Sequence, residues 1–241
     1  DENGEPNGII IEYNSRPTVD FDILRQVPRF KFLDRLSALR SSMEIYNSVG
    51  TTSVYEGHGL ASETIAAYRE LWETNELTLR ATLVLSPSWK NFSEARVAMR
   101  DWTAFARGKG LGDPWLNISG IHIAFGGDPI VAEIARSDLP NTGWSGFIEQ
   151  ANNQNEFMEY CMLAANFGLR VNTIVGDQLS EVIDVFEKID EAYPLNGKRW
   201  VIQHVARTTK NDLLRLRALG MLVTTIPVYY LWKGGDWYRN E

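Results

Sequence analysis

Short apolar runs alternate along this chain with longer stretches in which apolar residues return every three or four positions. Gly8 to Tyr13 reads as a short strand. Phe32, Leu33, Leu36, Leu39, Met43 and Tyr46 lay one helical face over 27–47, and Gly50 ends it. β-Branched and aromatic residues make 51–55 a strand. Ser62 caps a helix over 64–74, with Glu63 in its first turn. Leu77 to Leu85 is a strand stopped by Ser86-Pro87, Ser93 opens a helix over 94–107, and 120–125 is a strand ended by Gly126-Gly127. A turn-rich excursion over 130–143 leads to a long helix, 146–166, capped by Ser145 and closed by Gly168. A strand follows at 169–175. Gly176-Asp177 then opens a helix with Leu179, Val182, Ile183, Phe186 and Ile189 on one face. Strand 200–204, helix 211–219 with Gly220 as C-cap, and strand 221–226 complete the pattern.

Strand and helix alternate about six times with no run of adjacent hairpins. That predicts an α/β fold with a parallel sheet and crossover helices. An open doubly wound sheet and a (β/α)8 TIM-type barrel both fit. No Gly-x-Gly-x-x-Gly follows a strand, which weighs against a dinucleotide fold. A full barrel needs eight units, so the barrel is expected to be incomplete in this chain. Its missing strands would lie before residue 1 and after residue 241. The first residues read as an exposed turn from within a longer polypeptide, and 1–20 as the end of an insertion or loop.

With 241 residues, 44% of them hydrophobic, the chain can bury a substantial core, taken here as one partial barrel domain over 1–241. Its net charge of −7 argues against a nucleic-acid groove. No apolar run reaches the ~18–20 residues of a membrane span. The single cysteine, Cys161, cannot form an internal disulfide, and cysteine poverty fits a cytoplasmic protein.

The chemistry centres on histidine. His204 ends an apolar strand just before a helix, where barrels of this kind place their active sites, and imidazole is the commonest neutral metal ligand. His122, between Ile121 and Ile123, shares a strand face with Ala124 and points at the site axis if that face lines the lumen. His58 follows Glu56 in a glycine-bracketed turn past a strand, where glycine allows close approach of a ligand. Glu56 is a candidate general base or substrate-amine anchor, or a cap of that turn. Asp177 either caps a helix or orients a ligand. Trp144 and Tyr229 are loop aromatics able to wall a pocket or pack an interface.

Several stretches in order resemble the YtcJ-like metal-dependent amidohydrolases (amidohydrolase family 3). They are Asn3-Gly-Glu-Pro-Asn-Gly8, Ser48-Val-Gly-Thr-Thr-Ser-Val54, Gly120-Ile-His-Ile-Ala-Phe-Gly-Gly127 and Trp144-Ser-Gly146. Thr173-Ile-Val-Gly-Asp177 resembles the family's H-x-x-G-D, Ile202-Gln-His204 its I-E-H, and Gly220 to Pro227 the strand that follows. The resemblance spans nearly the whole chain. It implies an incomplete (β/α)8 barrel and hydrolysis of C–N bonds by a metal-activated water. The family takes its ligands from an H-x-H pair on strand one, His on strands five and six, Asp on strand eight and, in some members, a carboxylated Lys on strand four. His204 matches the strand-six His. Thr173 stands at the strand-five position, leaving it a substrate contact, His122 stands at the Lys position, and Gly126 replaces an Asp just beyond.

The expectation is therefore an amidohydrolase. His204 and His122 hold a divalent metal, zinc with iron or manganese as alternatives. Glu56 and Asp177 serve catalysis, and His58, Trp144, Thr173 and Tyr229 contact a small-molecule substrate. A complementary polypeptide or the rest of a precursor completes the site in an oligomer, without nucleic acid or membrane. The alternative is a non-catalytic barrel subunit, which the loss of the strand-five His favours.

Overall fold

A computed structural model describes Glu5, 7–9, Gln26, Pro28, 30–87, 89–127, 151–176 and 178–226. Six helices lie among these residues: α1 Phe32–Ser48, α2 Ser62–Glu73, α3 Phe92–Ala106, α4 Gln154–Phe167, α5 Leu179–Ala192 and α6 Lys210–Leu219. Seven strands accompany them: β1 Ser53–Leu60, β2 Arg80–Leu85, β3 Leu111–Gly112, β4 Leu116–His122, β5 Val171–Ile174, β6 Val201–Gln203 and β7 Leu222–Val223. Six strands pair in parallel in the order β1-β2-β4-β5-β6-β7. The expected strand 8–13 and the excursion 130–143 fall wholly or mostly outside the described residues.

The sheet is curled. In a flat sheet β1 and β6, four strand spacings apart, would be separated by about 19 Å. Here the Gln203 amide of β6 donates to the Gly57 carbonyl of β1 at 2.6 Å. The Tyr55 hydroxyl of β1 likewise meets the Asn172 side chain of β5. Among the described residues the result is a half-barrel of six parallel strands with alternating helices outside, of the (β/α)8 type. Its lumen is narrow enough for side chains to touch across it.

The core forms between sheet and helices. α5 shows why: Leu179, Val182, Ile183, Phe186 and Ile189 recur at helical spacing and are all buried. They meet Val171 and Ile202 of the strands, while Phe186 packs edge-on to Trp200 and stacks with Phe157 of α4. A second cluster, with Leu36, Leu71, Leu79 and Leu83, seats α1 and α2 on β1 and β2.

Helix ends follow local chemistry. The Asn153 side chain accepts from the amides of Asn155 and Glu156, and the Glu156 carboxylate accepts from the Asn153 amide, a complete capping box. Asn153→Ala should therefore lower stability by about 1 kcal/mol, read as a shifted urea midpoint. α4 begins at Gln154, later than the expected 146, with 146–150 outside the described residues. α3 is capped by Asn91 rather than opened by Ser93. Among the described strands, one pairing departs from the all-parallel expectation, beside the isolated antiparallel bridges Arg107–Leu169 and Gly126–Asn152. β3 forms a short antiparallel hairpin with β4, turned by Asp113, whose carboxylate accepts from the Trp115 and Leu116 amides.

Candidate functional site

At the C-terminal ends of the strands, three histidines converge from β1, β4 and the end of β6. His58 Nε2 lies 3.1 Å from His204 Nε2, with ring centroids 4.8 Å apart. The His122 ring lies 6.1 Å from that of His58, and its residue is fully buried.

None of the three is delivered by a regular strand. In β4, Leu116 and Ile118 face the helices, and so do Ile121 and Ile123. The helix-facing parity switches because the two-residue step from Leu83 to Leu85 in β2 lies opposite a three-residue step from Ile118 to Ile121 in β4. Gly120 occupies that bulge at φ +89, and a Cβ there would come within 2.5 Å of the Arg170 carbonyl. The extra residue turns His122 to the lumen. β1 has a wider irregularity: the four-residue step from Glu56 to Leu60 lies opposite the two-residue step from Leu83 to Leu85 in β2. It lies between Glu56, whose carboxylate accepts from the Tyr68 hydroxyl of α2 at 3.2 Å, and Leu60 in the α1–α2 core, and it aims His58 inward. His204 takes a left-handed backbone, φ +62. Simple alternation after Trp200 and Ile202, both in the helix-facing core, would point it outward. A non-glycine residue there is strained by roughly 1 kcal/mol or more, and such strain gathers at functional sites.

Electrostatics keep the imidazoles neutral. Burial and the neighbouring His204 push the His58 pKa down to about 4. Burial, with His58 close by, pushes His122 down to about 3. Burial lowers His204 as well. Neutral imidazoles keep the lone pairs that bind metals. Two nitrogens sharing one tetrahedral zinc at about 2.0–2.1 Å stand roughly 3.3 Å apart, and the 3.1 Å between His58 and His204 fits that role. Among the described residues, no group of three His, Cys, Asp or Glu side chains is placed to hold a metal ion. The described chain thus offers two fitting donors.

Below the histidines, Tyr55–Asn172 and Gln203–Gly57 form a polar floor across the lumen. Neither pair is among the site residues expected from the sequence. The signal was there in buried polar Asn172 and Gln203 alternating with apolar strand residues. Gln203 holds the irregular segment of β1 that presents His58. Gln203→Ala should cost about 1–3 kcal/mol through the orphaned carbonyl, and it should impair the His58 side of the site more than that loss implies. Thermal unfolding and metal titration of the variant check the two effects.

The other expected site residues sit elsewhere. Glu56 turns to the helix layer, in a cleft it shares with Arg35 and Thr64 rather than with the histidines. Thr173 is fully buried on the helix-facing side of β5, in alternation with Val171 and Val175, while Asn172 and Ile174 face the lumen. Asp177, Trp144 and Tyr229 lie outside the described residues. Among those described, no helix is long and apolar enough to cross a membrane.

Known proteins of similar shape support this reading of the fold. The chain resembles the crystal structure of an uncharacterized metal-dependent hydrolase from Pyrococcus furiosus, with a TM-score of 0.63 and 19% identity over 98% of this chain and 47% of that one. A second such hydrolase, from Pyrococcus horikoshii, gives 0.58 and 19% over 87% of this chain and 40% of that one. The chain thus spans less than half the length of either structure. No functionally curated protein matches. The sequence pattern of the amidohydrolase family matches residues 1–241 throughout. With its half-barrel and lumenal histidines, this chain belongs to the amidohydrolase family.

Proposed function

We propose that this chain forms part of a metal-dependent hydrolase that cleaves a non-peptide, amide-type C–N bond of a small molecule. The observation that carries the reading is the His58–His204 nitrogen pair, neutral and 3.1 Å apart at the catalytic mouth of the barrel. These two residues would hold a divalent ion, zinc first, with iron or manganese as alternatives. The chemistry such an ion supplies is acidification of a bound water and polarisation of the scissile carbonyl.

The chain's own contribution is positioning. The irregular segment of β1 and the left-handed turn at His204 aim the two rings at one point. His122 stands beside them as a buried neutral imidazole. The Tyr55–Asn172 and Gln203–Gly57 pairs close the lumen underneath, so that substrate approaches from the C-terminal ends of the strands. A catalytic site of this kind uses about three protein ligands. The remaining donors and strands come from polypeptide beyond the described residues, whether a partner chain or more of the same one.

A second reading, a non-catalytic barrel subunit, draws on Thr173 facing the helices and on the two-donor set. Metal content separates the two. Elemental analysis of the natural assembly should find about one divalent ion per chain. Folded, metal-free material that takes up no zinc on titration would establish the second reading.

A further inference from the structure

The opposite end of the barrel carries a recess that the histidine site does not use. It encloses about 930 Å³ where the strands begin, and its walls include Lys109, Arg170, Lys198 and Arg199. Among the described residues lining it, Asp113 is the one carboxylate, and that group is engaged by the amides of Trp115 and Leu116. The recess is therefore cationic in a chain of net charge −7.

The four cations have no acidic partner among the described residues. Among the described residues, ion pairs engage Arg40, Arg69, Arg100 and Arg215, and none involves these four. Arg170 is the informative member. It opens β5, its Nη2 donates weakly to the Gly108 carbonyl at 3.4 Å, and its Nε is buried with no hydrogen-bond partner. A buried Nε–H left unmatched carries a cost, and the rest of this half-buried side chain lines the recess. Arg199 sits near enough for its charge to disfavour that of Arg170, after burial, and it holds a left-handed backbone at φ +59 on the entry to β6. The Tyr55 hydroxyl stands above, close enough to feel the Arg170 charge, and the polar floor divides this recess from the histidines.

We propose that this N-terminal recess binds a small phosphate-type oxyanion, free phosphate or the phosphate of an ester, with Arg170 and Arg199 as its principal contacts. Guanidinium forks match such oxygens in pairs, and two of them beside two lysines suit a multiply charged anion better than a single carboxylate. The site is separate from the proposed metal pair and does not depend on it.

Calorimetric titration of the full chain with inorganic phosphate, at constant ionic strength, tests the proposal. One saturable site is expected, weakened at least about tenfold in the double variant Arg170→Gln/Arg199→Gln, given the strength of charge-assisted bonds. Should that variant fail to fold, the exposed pair Lys109→Gln/Lys198→Gln carries the same expectation. His204→Ala should keep the binding, and Arg96→Gln, on the outer surface, should leave it unchanged. Glycerol phosphate binding more tightly than phosphate would identify an ester as the ligand, and equal binding would identify the free anion. Absence of saturable binding, undiminished binding in the folded arginine variants, or its loss in His204→Ala would overturn the assignment.

Discussion

Replacing His204 with alanine is expected to reduce bound divalent metal to below about a tenth of the wild-type content and hydrolysis by at least about a thousandfold, beyond the 10–100-fold typical of groups that only orient a ligand. Among the described residues, the ring nitrogens of His204 and His58 are close enough to share one ion. Loss of either leaves a set too small for a catalytic site. His58→Ala should fall as far, and the double variant little further, because residues acting as one unit are strongly non-additive. Backbone strain offers a competing explanation, since His204 sits at φ +62. His204→Gly resolves it: glycine takes that conformation without strain, so a ligand role predicts equal metal loss in a chain at least as stable. Elemental analysis alongside thermal unfolding reads both quantities.

The largest stability effect is expected at Phe186. Its ring is fully buried, edge-on to Trp200 at 5.2 Å and stacked on Phe157 at 5.9 Å, where α4 and α5 meet the sheet. Phe186→Ala leaves a cavity that three packed elements cannot all close. The cost is about 3–5 kcal/mol, a large share of the roughly 5–15 kcal/mol that holds a domain folded. Leu213→Ala, half-exposed on α6, should cost under about 0.5 kcal/mol. Urea denaturation of the two variants measures the contrast. Equal losses would mean that this aromatic stack is not the centre of the core.

These two sites differ in how far they can be read from the chain. The core is legible because α5 repeats its apolar residues at helical spacing and the strands are apolar and short, so Phe186 and Ile202 declare their burial without a structure. The αL stops at Gly168 and Gly220 are equally plain. The candidate site is legible only in part. His204 stands out by its place at a strand end. Its true neighbour is hidden, because the orientation of His58, His122 and His204 is set by a wide irregularity, a glycine bulge and a left-handed residue. Each of these breaks the two-residue period on which strand reading depends. Glu56 and Thr173 show the other side of the same effect. Regular alternation holds for both, and it carries them to the helix layer, away from the histidines. The β3–β4 hairpin escaped for a different reason: two residues are too few to show any period, and only the Asp113 turn marks it.

The proposed site stands on His58 and His204 binding one cation between them. Anomalous diffraction at the metal edge, on crystals of the protein purified with its native metal, tests it most directly. One peak bridging the two rings is expected, within about 2.0–2.1 Å of both Nε2 atoms. A peak away from this pair, or a metal-free structure with the two imidazoles simply hydrogen-bonded in an active enzyme, would contradict it.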